Sequence, residues 1–204
     1  REFNVKHFVY ASSSSVYGSN SQMPFSTNHP ANHPVSTYAM TKASNELMAH
    51  VYSKLYNLPT TGLRYFTVYG PYGRPDMAYY SFTRKILSGK KIQLYDYGKN
   101  LRDFTYIDDL VKIFLKIFFS KKHQQFEVYN IGSGRPISTI KFLKILEKII
   151  GKKASIEKVK FFKGDVFKTN ANMKKYKSKF GSYGITNLEN GLINFYKWYN
   201  EYHN

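Results

Sequence analysis

Tyr38 and Lys42 stand four residues apart in the stretch Ser36-Thr37-Tyr38-Ala39-Met40-Thr41-Lys42. On a helix, that spacing puts both side chains on one face. A free phenol, with a pKa near ~10, is a poor base at neutral pH. An ammonium beside it favours the phenolate. Such a pair can take a proton from a hydroxyl group if a second hydroxylic residue holds the substrate oxygen. Ser13, in the run Ser12 to Ser15 that follows an apolar segment, is the candidate for that second role. The bare Tyr-x-x-x-Lys spacing also describes a surface helix turn, and a chain with 19 tyrosines produces it by chance.

Other polar residues offer less. His7, His29, His33, His50, His123 and His203 are scattered without metal-ligand spacing, so no metal site is expected. With no cysteine there is no disulfide, thiol nucleophile or thiolate site. Gly132-Ser133-Gly134 reads as the end of a strand rather than a phosphate loop.

The elements that must carry these residues follow from the pattern. Val5 to Ala11 reads as a buried strand ending in the serines. Proline-rich residues 19–35 form a loop. Ser36 or Thr37 caps a helix to about Tyr56, which Asn57-Leu58-Pro59 ends. Thr60 to Phe66 is a second strand, Gly70 to Pro75 a rigid turn, Met77 to Leu87 a helix, and Ile92 to Tyr95 a short strand. Asp108 or Asp109 opens a helix through Phe119, suited to the positive end of the helix dipole. Glu127 to Ile131 is a strand, and Ser138 starts a helix that runs to Ile150 and ends at Gly151. Thr186-Asn187-Leu188-Glu189 has the spacing of a capping box and opens a terminal helix to about Tyr202. Strands alternating with helices predict an α/β fold with a mostly parallel sheet.

The 204 residues are 42% hydrophobic and 18% aromatic, a globular composition. No segment approaches the roughly 18 apolar residues that a membrane helix needs. The opening residues do not read as a secretory signal, and a cytoplasmic protein is expected. The formal charge of +18 would attract polyanions. Its lysines, however, are spread over helices and loops without aromatic-glycine ribonucleoprotein motifs, so no specific nucleic-acid role is expected. A phosphate-bearing small substrate fits the charge equally well.

Longer blocks sharpen the reading. Tyr10 to Gly18 (YASSSSVYG), with Tyr38 to Lys42, resembles the active-site strand and helix of extended short-chain dehydrogenases of the NAD-dependent epimerase/dehydratase type. Leu63 to Pro71 (LRYFTVYGP), Arg102 to Asp109 (RDFTYIDD), Tyr129 to Gly132 and Gly164 to Val166 follow in that family's order. The resemblance implies a partial Rossmann-like, doubly wound parallel sheet with a smaller α/β substrate domain. Residues 1–70 would be the remainder of the NAD-binding domain. Residues 71–204 would mainly bind a UDP-sugar, with 127–131 returning to the main sheet. It also implies NAD as cofactor and the following roles. Tyr38 would be the base on the sugar 4-hydroxyl, Ser13 would share that oxygen, Lys42 would hold the cofactor ribose, and Phe66 would contact the nicotinamide end.

Within the family, dehydratases carry Asp-Glu where this chain has Ser14 and Ser15, and decarboxylases carry Glu at the place of Ser15. Their absence disfavours elimination and decarboxylation and leaves epimerisation. Thr67 and Arg74, in Phe-Thr-Val-Tyr-Gly-Pro and Gly-Arg-Pro-Asp, are similar to UDP-glucuronate 4-epimerases. A guanidinium can pair both oxygens of a sugar carboxylate. Ser14, Ser15 and Thr67 would hydrogen-bond its remaining lone pairs. The alternative for Arg74 is a turn residue paired with Asp76. By resemblance, Gln93 to Tyr95 would offer backbone groups to the uracil, Arg102 would meet the diphosphate and Asp165 the uridine ribose. Phe162-Lys163, before Gly164-Asp165, departs from the family pattern.

The expected reaction is thus 4-epimerisation of a UDP-sugar, by the substrate argument UDP-glucuronate to UDP-galacturonate, for surface polysaccharide precursors. UDP-glucose or UDP-N-acetylglucosamine as substrate is the nearest rival. A non-catalytic, anion-binding module is the alternative of a different class. A homodimer is expected of the full-length protein. The Gly-x-x-Gly-x-x-Gly turn that cradles a dinucleotide pyrophosphate does not occur in these 204 residues, so the chain reads as lacking the first half of that domain, and the piece alone is expected to be inactive.

Overall fold

The computed structural model describes residues 2–3, 5–160 and 167–203. Its centre is a parallel sheet of three strands in the order β1 (Phe8–Ser13), β2 (Thr60–Tyr65), β7 (Phe126–Ile131). Phe8 pairs with Thr60 and Ser13 with Tyr65; Thr60 pairs with Phe126 and Tyr65 with Ile131. The fold is α/β with parallel pairing, as the alternation of patterns predicts.

Helix α1 (Thr37–Tyr56) crosses back between β1 and β2. Ser36 caps it, its hydroxyl accepting from the Ala39 N–H at 3.2 Å, and Asn57 closes it in the left-handed conformation. Ala39, Glu46, Ala49 and Ser53 form its buried face. Three of the four are small, so the helix lies close against β1 and β2.

The first strand departs from expectation. The reading over Val5 to Ala11 starts too early, and the apolar run is not the buried part. Val5 is 45% and Phe8 47% exposed, whereas Ser12 and Ser13 are buried. Among the described residues β1 pairs with β2 alone, so its apolar start is uncovered, while its polar tip is enclosed by α1 and the turn Ser14–Tyr17.

Beyond β2 the chain forms β3 (Thr67–Tyr69), α2 (Ala78–Leu87), β4 (Ile92–Tyr95), β5 (Leu101–Arg102), β6 (Phe104–Tyr106) and α3 (Ile107–Phe118). After β7 come β8 (Ile137–Ser138), α4 (Thr139–Ile150), β9 (Ile156–Val159), α5 (Lys174–Phe180) and α6 (Leu188–His203). β3 pairs with β6 and β4 with β9, both parallel; β5 pairs with β8 antiparallel.

Two apolar clusters hold these pieces. One lies against the central sheet and includes Tyr17, Leu63, Phe66, Ile113, Tyr129 and Tyr176. The other joins α2, α4 and α6 through Tyr79, Ile86, Phe142, Leu146, Leu192 and Phe195. Asp103, fully buried between β5 and β6, accepts from the N–H groups of Ser133, Gly134 and Ala171 and from the Ser133 hydroxyl at 2.6–3.0 Å. Burial pushes its carboxyl up against the pull of those donors.

The terminal helix forms, but not by a capping box. Thr186 gives its N–H and hydroxyl to the buried Asp109 carboxylate at 2.6 and 2.9 Å. Asn187 accepts from the Glu189 N–H instead, and Glu189 pairs with Lys148 at 2.8 Å. A tertiary carboxylate outcompetes the local cap. No helix among the described residues is long and apolar enough to cross a membrane.

Candidate active site

The tip of β1, the first turns of α1 and the segment from Tyr65 to Met77 enclose a cleft of about 560 Å³. Ser13, Ser14, Ser15, Tyr38, Lys42, Phe66, Thr67 and Arg74 all line it. Residues up to 61 positions apart in sequence thus share one cavity, counted from Ser13 to Arg74.

Each is placed by its element. Ser13 ends β1 and caps the turn after it, its oxygen accepting from the Ser15 N–H at 3.1 Å and its hydroxyl donating to Ser15 Oγ at 3.2 Å. Tyr38 lies in the first turn of α1, 52% exposed and open to the cleft. Lys42, one turn on, donates from Nζ to the Ala11 carbonyl at 3.1 Å, and Nζ lies 5.8 Å from the centre of the Tyr38 ring. Helix and strand tip are thereby tied at the edge of the cleft.

Phe66 is nearly buried, tilted against Phe25 at 6.3 Å, with its N–H on the Ile131 carbonyl at 3.0 Å. It forms a wall of the cleft. Thr67 follows at the start of β3. Arg74 is solvent-exposed and forks onto Asp76, Nε to Oδ1 at 3.1 Å and Nη2 to Oδ2 at 2.7 Å. That contact holds the Asp76 carboxyl below its ordinary value. The turn pairing weighed for Arg74 is therefore present, at the rim of the same cleft.

The sequence reading missed four phenols of the lining. Tyr65 and Tyr79 are pushed up to about 12 by burial, and Tyr69 is pushed up further by burial and by the Asp109 carboxylate. Such groups stay neutral and shape the wall rather than take protons. Tyr72, 83% exposed with φ 60°, lies tilted against Trp198 at 5.2 Å and completes the rim. Their signal in the sequence was only aromatic density around Gly70-Pro71, which does not separate wall from core.

Two predicted contacts do not join the cleft lining. Gln93 sits on the exposed side of β4, its side chain donating to Glu157 at 3.3 Å and accepting from the Tyr95 hydroxyl at 3.3 Å. Arg102 donates to the carbonyls of Leu101 and Phe167 at 3.1 and 3.4 Å. Asp165 lies outside the described residues. Among the described residues no group of three or more His, Asp or Glu side chains could hold a metal ion.

Ser13, Tyr38 and Lys42 thus line one cleft. The model of the NAD dependent epimerase/dehydratase family matches residues 1–132. The chain belongs to that family. Protein CapI of Staphylococcus aureus is 42% identical over 219 residues, covering all of this chain and 66% of that protein. UDP-glucuronate 4-epimerase 6 of Arabidopsis thaliana is 45% identical, covering 96% of this chain and 46% of that protein. The crystal structure of UDP-glucuronic acid 4-epimerase from Bacillus cereus, in complex with UDP-glucuronic acid and NAD, superposes with a TM-score of 0.89 at 36% identity, covering 96% of this chain and 62% of that one. The chain thus spans between about half and two thirds of the length of these epimerase/dehydratase relatives.

Proposed function

We propose that this chain supplies the catalytic and sugar-nucleotide-binding residues of an NAD-dependent UDP-sugar 4-epimerase, with UDP-glucuronate as substrate. The observation that carries the reading is the convergence of Ser13, Tyr38 and Lys42 on one cleft whose rim bears Arg74. The donor set suits the cofactor. An open ammonium and phenol beside a phenylalanine wall match a ribose diol next to a flat nicotinamide, so Tyr38, Lys42 and Phe66 would hold it. NAD would supply the hydride acceptor and return the hydride.

This chain's residues do the rest. Tyr38 removes the proton from the sugar 4-hydroxyl and gives it back after the 4-keto sugar has turned over. Ser13 hydrogen-bonds the same oxygen. Ser14, Ser15 and Thr67 meet the sugar carboxylate, with Arg74 pairing its two oxygens. Holding that carboxylate limits loss of CO2 from the β-keto acid. Arg102 and Asp165 serve the diphosphate and uridine ribose, and Gln93 the uracil. The activities of the similar epimerases and the gathering of Ser13, Tyr38, Lys42, Phe66 and Thr67 around one cleft support this reading. It extends to a cytoplasmic supplier of surface polysaccharide precursors, dimeric through the apolar face of α1, where Leu47, Met48, Val51, Tyr52 and Leu55 are exposed.

Interconversion of UDP-glucuronate and UDP-galacturonate, followed by NMR in the longest polypeptide that contains these residues, tests the proposal. Tyr38→Phe should lower kcat by about 10²-fold or more. A Tyr38→Phe protein that turns over normally would defeat the reading. The fork between Arg74 and Asp76 favours a second substrate reading, a neutral UDP-sugar, because the guanidinium already has a carboxylate. Arg74→Ala separates the two. It should raise KM for the carboxylated sugar at least about tenfold while leaving UDP-glucose within about twofold.

A further inference from the structure

Glu46 lies on α1 eight residues after Tyr38 and four after Lys42, so the three side chains follow one stripe at one-turn intervals. The first two look into the cleft; Glu46 is buried beneath them. Its Oε1 accepts from Ser12 Oγ at 2.5 Å and from Arg64 Nε at 2.9 Å, and its Oε2 accepts from Arg64 Nη2 at 2.7 Å. Arg64 is 5% exposed, sits opposite Ser12 in the pairing of β2 with β1, and lays its guanidinium 4.8 Å over the Tyr17 ring.

One carboxylate therefore joins three elements. It holds the helix that carries Tyr38 and Lys42, the residue directly before Ser13, and the strand that leads in two residues to Phe66. An apolar side chain of similar volume would pack α1 on the sheet with less desolvation. What the ion pair adds is direction. Two fork contacts and one hydroxyl fix both the rotation of α1 and the tip of β1, where an apolar contact would tolerate sliding.

We infer that Glu46 is a positioning residue for the proposed epimerase chemistry, acting through Ser12 and Arg64 to hold Ser13, Tyr38 and Lys42 in mutual register. The inference rests on the catalytic reading above. Misplacement of reacting groups by about 1 Å costs about 10²-fold in rate, so the network should show in kcat and not in affinity.

Three variants test it in the longest polypeptide that contains these residues, with turnover, KM and thermal unfolding measured on each. Glu46→Gln alone leaves a buried guanidinium unpaired and is liable to unfold, so the paired variant Glu46→Met/Arg64→Met replaces it. That protein should keep a melting temperature close to the parent yet lose about 30-fold or more in kcat, with KM within about threefold. Ser12→Ala removes only the hydroxyl arm and should lower kcat by about five- to tenfold at unchanged melting temperature. A folded double variant with kcat within about threefold of the parent would overturn the inference. Should the double variant fail to fold, Ser12→Ala decides: lowered kcat upholds the role, and unaltered kcat removes it. Tyr38→Phe, run beside them, separates the two ideas. If it stays active the catalytic reading fails; if it is dead while the other variants are normal, only Glu46 loses its role.

Discussion

At the scale of single residues, the cleft was more legible than its rim. Ser13, Tyr38 and Lys42 could be named from their types and spacing and Phe66 and Thr67 only from resemblance to the family, and the cleft gathers all five. Gln93 and Arg102 could not be checked that way. Their roles depend on where two- and four-residue strands point, and β4 turns Gln93 towards Glu157. Glu46 and Arg64 gave no signal either. A Glu inside an amphipathic helix and an Arg inside an apolar strand each look like errors of pattern until the fold pairs them.

The Arg74 fork carries a prediction of its own. On the proposed reading a sugar carboxylate shares the guanidinium with Asp76, whose negative charge, held at 2.7 and 3.1 Å, competes with it. Asp76→Asn should lower KM for UDP-glucuronate by about two- to fivefold, the range of an exposed ion pair, and leave KM for UDP-glucose unaltered. Steady-state kinetics with both sugars reads this out, and a higher KM for UDP-glucuronate would show that Asp76 orients Arg74 instead.

Among elements, strong periodicity and end signals were reliable. Ser36 and Asn57 bound α1, Ser138 and Gly151 bound α4, and the strand over Ile92 to Tyr95 falls where the pattern puts it. What escaped was short or charged. β5 and β8 have two residues each and β3 and β6 three, too few for any alternation to register. α5 reads Lys-Lys-Tyr-Lys-Ser-Lys-Phe and buries only Tyr176, so nothing in its sequence separates it from a basic loop.

Ser36→Ala should cost about 1 kcal/mol, the worth of one N-cap, seen as a lower melting temperature. Because α1 begins one residue later and Tyr38 lies in its first turn, turnover should fall along with it. Gly191, inside α6, is there for room rather than flexibility, since a methyl group on it would meet the Tyr69 hydroxyl at 2.3 Å. Gly191→Ala should therefore destabilise by about 1–3 kcal/mol, although alanine is the better helix former. A more stable Gly191→Ala protein in thermal unfolding would contradict the packing of α6 on β3.

For the molecule as a whole, acid should act through two groups at the base of the central sheet. His7 bonds Thr61 Oγ1 at 2.8 Å and stacks on His123 at 4.5 Å; burial first, and then His123, lower its pKa below 6.5. The unfolded chain takes up that proton more readily, so stability is complete above pH 6.5 and falls as pH drops through the folded value. Glu127 gives a second, more acidic window. Burial raises its carboxyl, but Lys179 at 2.7 Å and the Tyr129 hydroxyl at 2.8 Å outweigh that and hold it below 4.5. Its contribution is present above pH 4.5 and is lost as pH falls through the lowered value. Melting temperatures at pH 7.5 and 5.5 should differ less in His7→Asn than in the parent protein. Equal differences would exclude His7 from the first window.

Lys42 is moored to a carbonyl of the main chain, and that choice of anchor has an evolutionary corollary. Every amino acid at position 11 offers the same oxygen, so mutation can recolour the strand without cutting the tether. With Lys42 in place, severing it at the acceptor takes chemistry on the backbone, such as an ester in place of the amide between residues 11 and 12, whose oxygen is a weaker acceptor. The berth of this cation is thus shielded from the genetic drift that reaches every side chain around it.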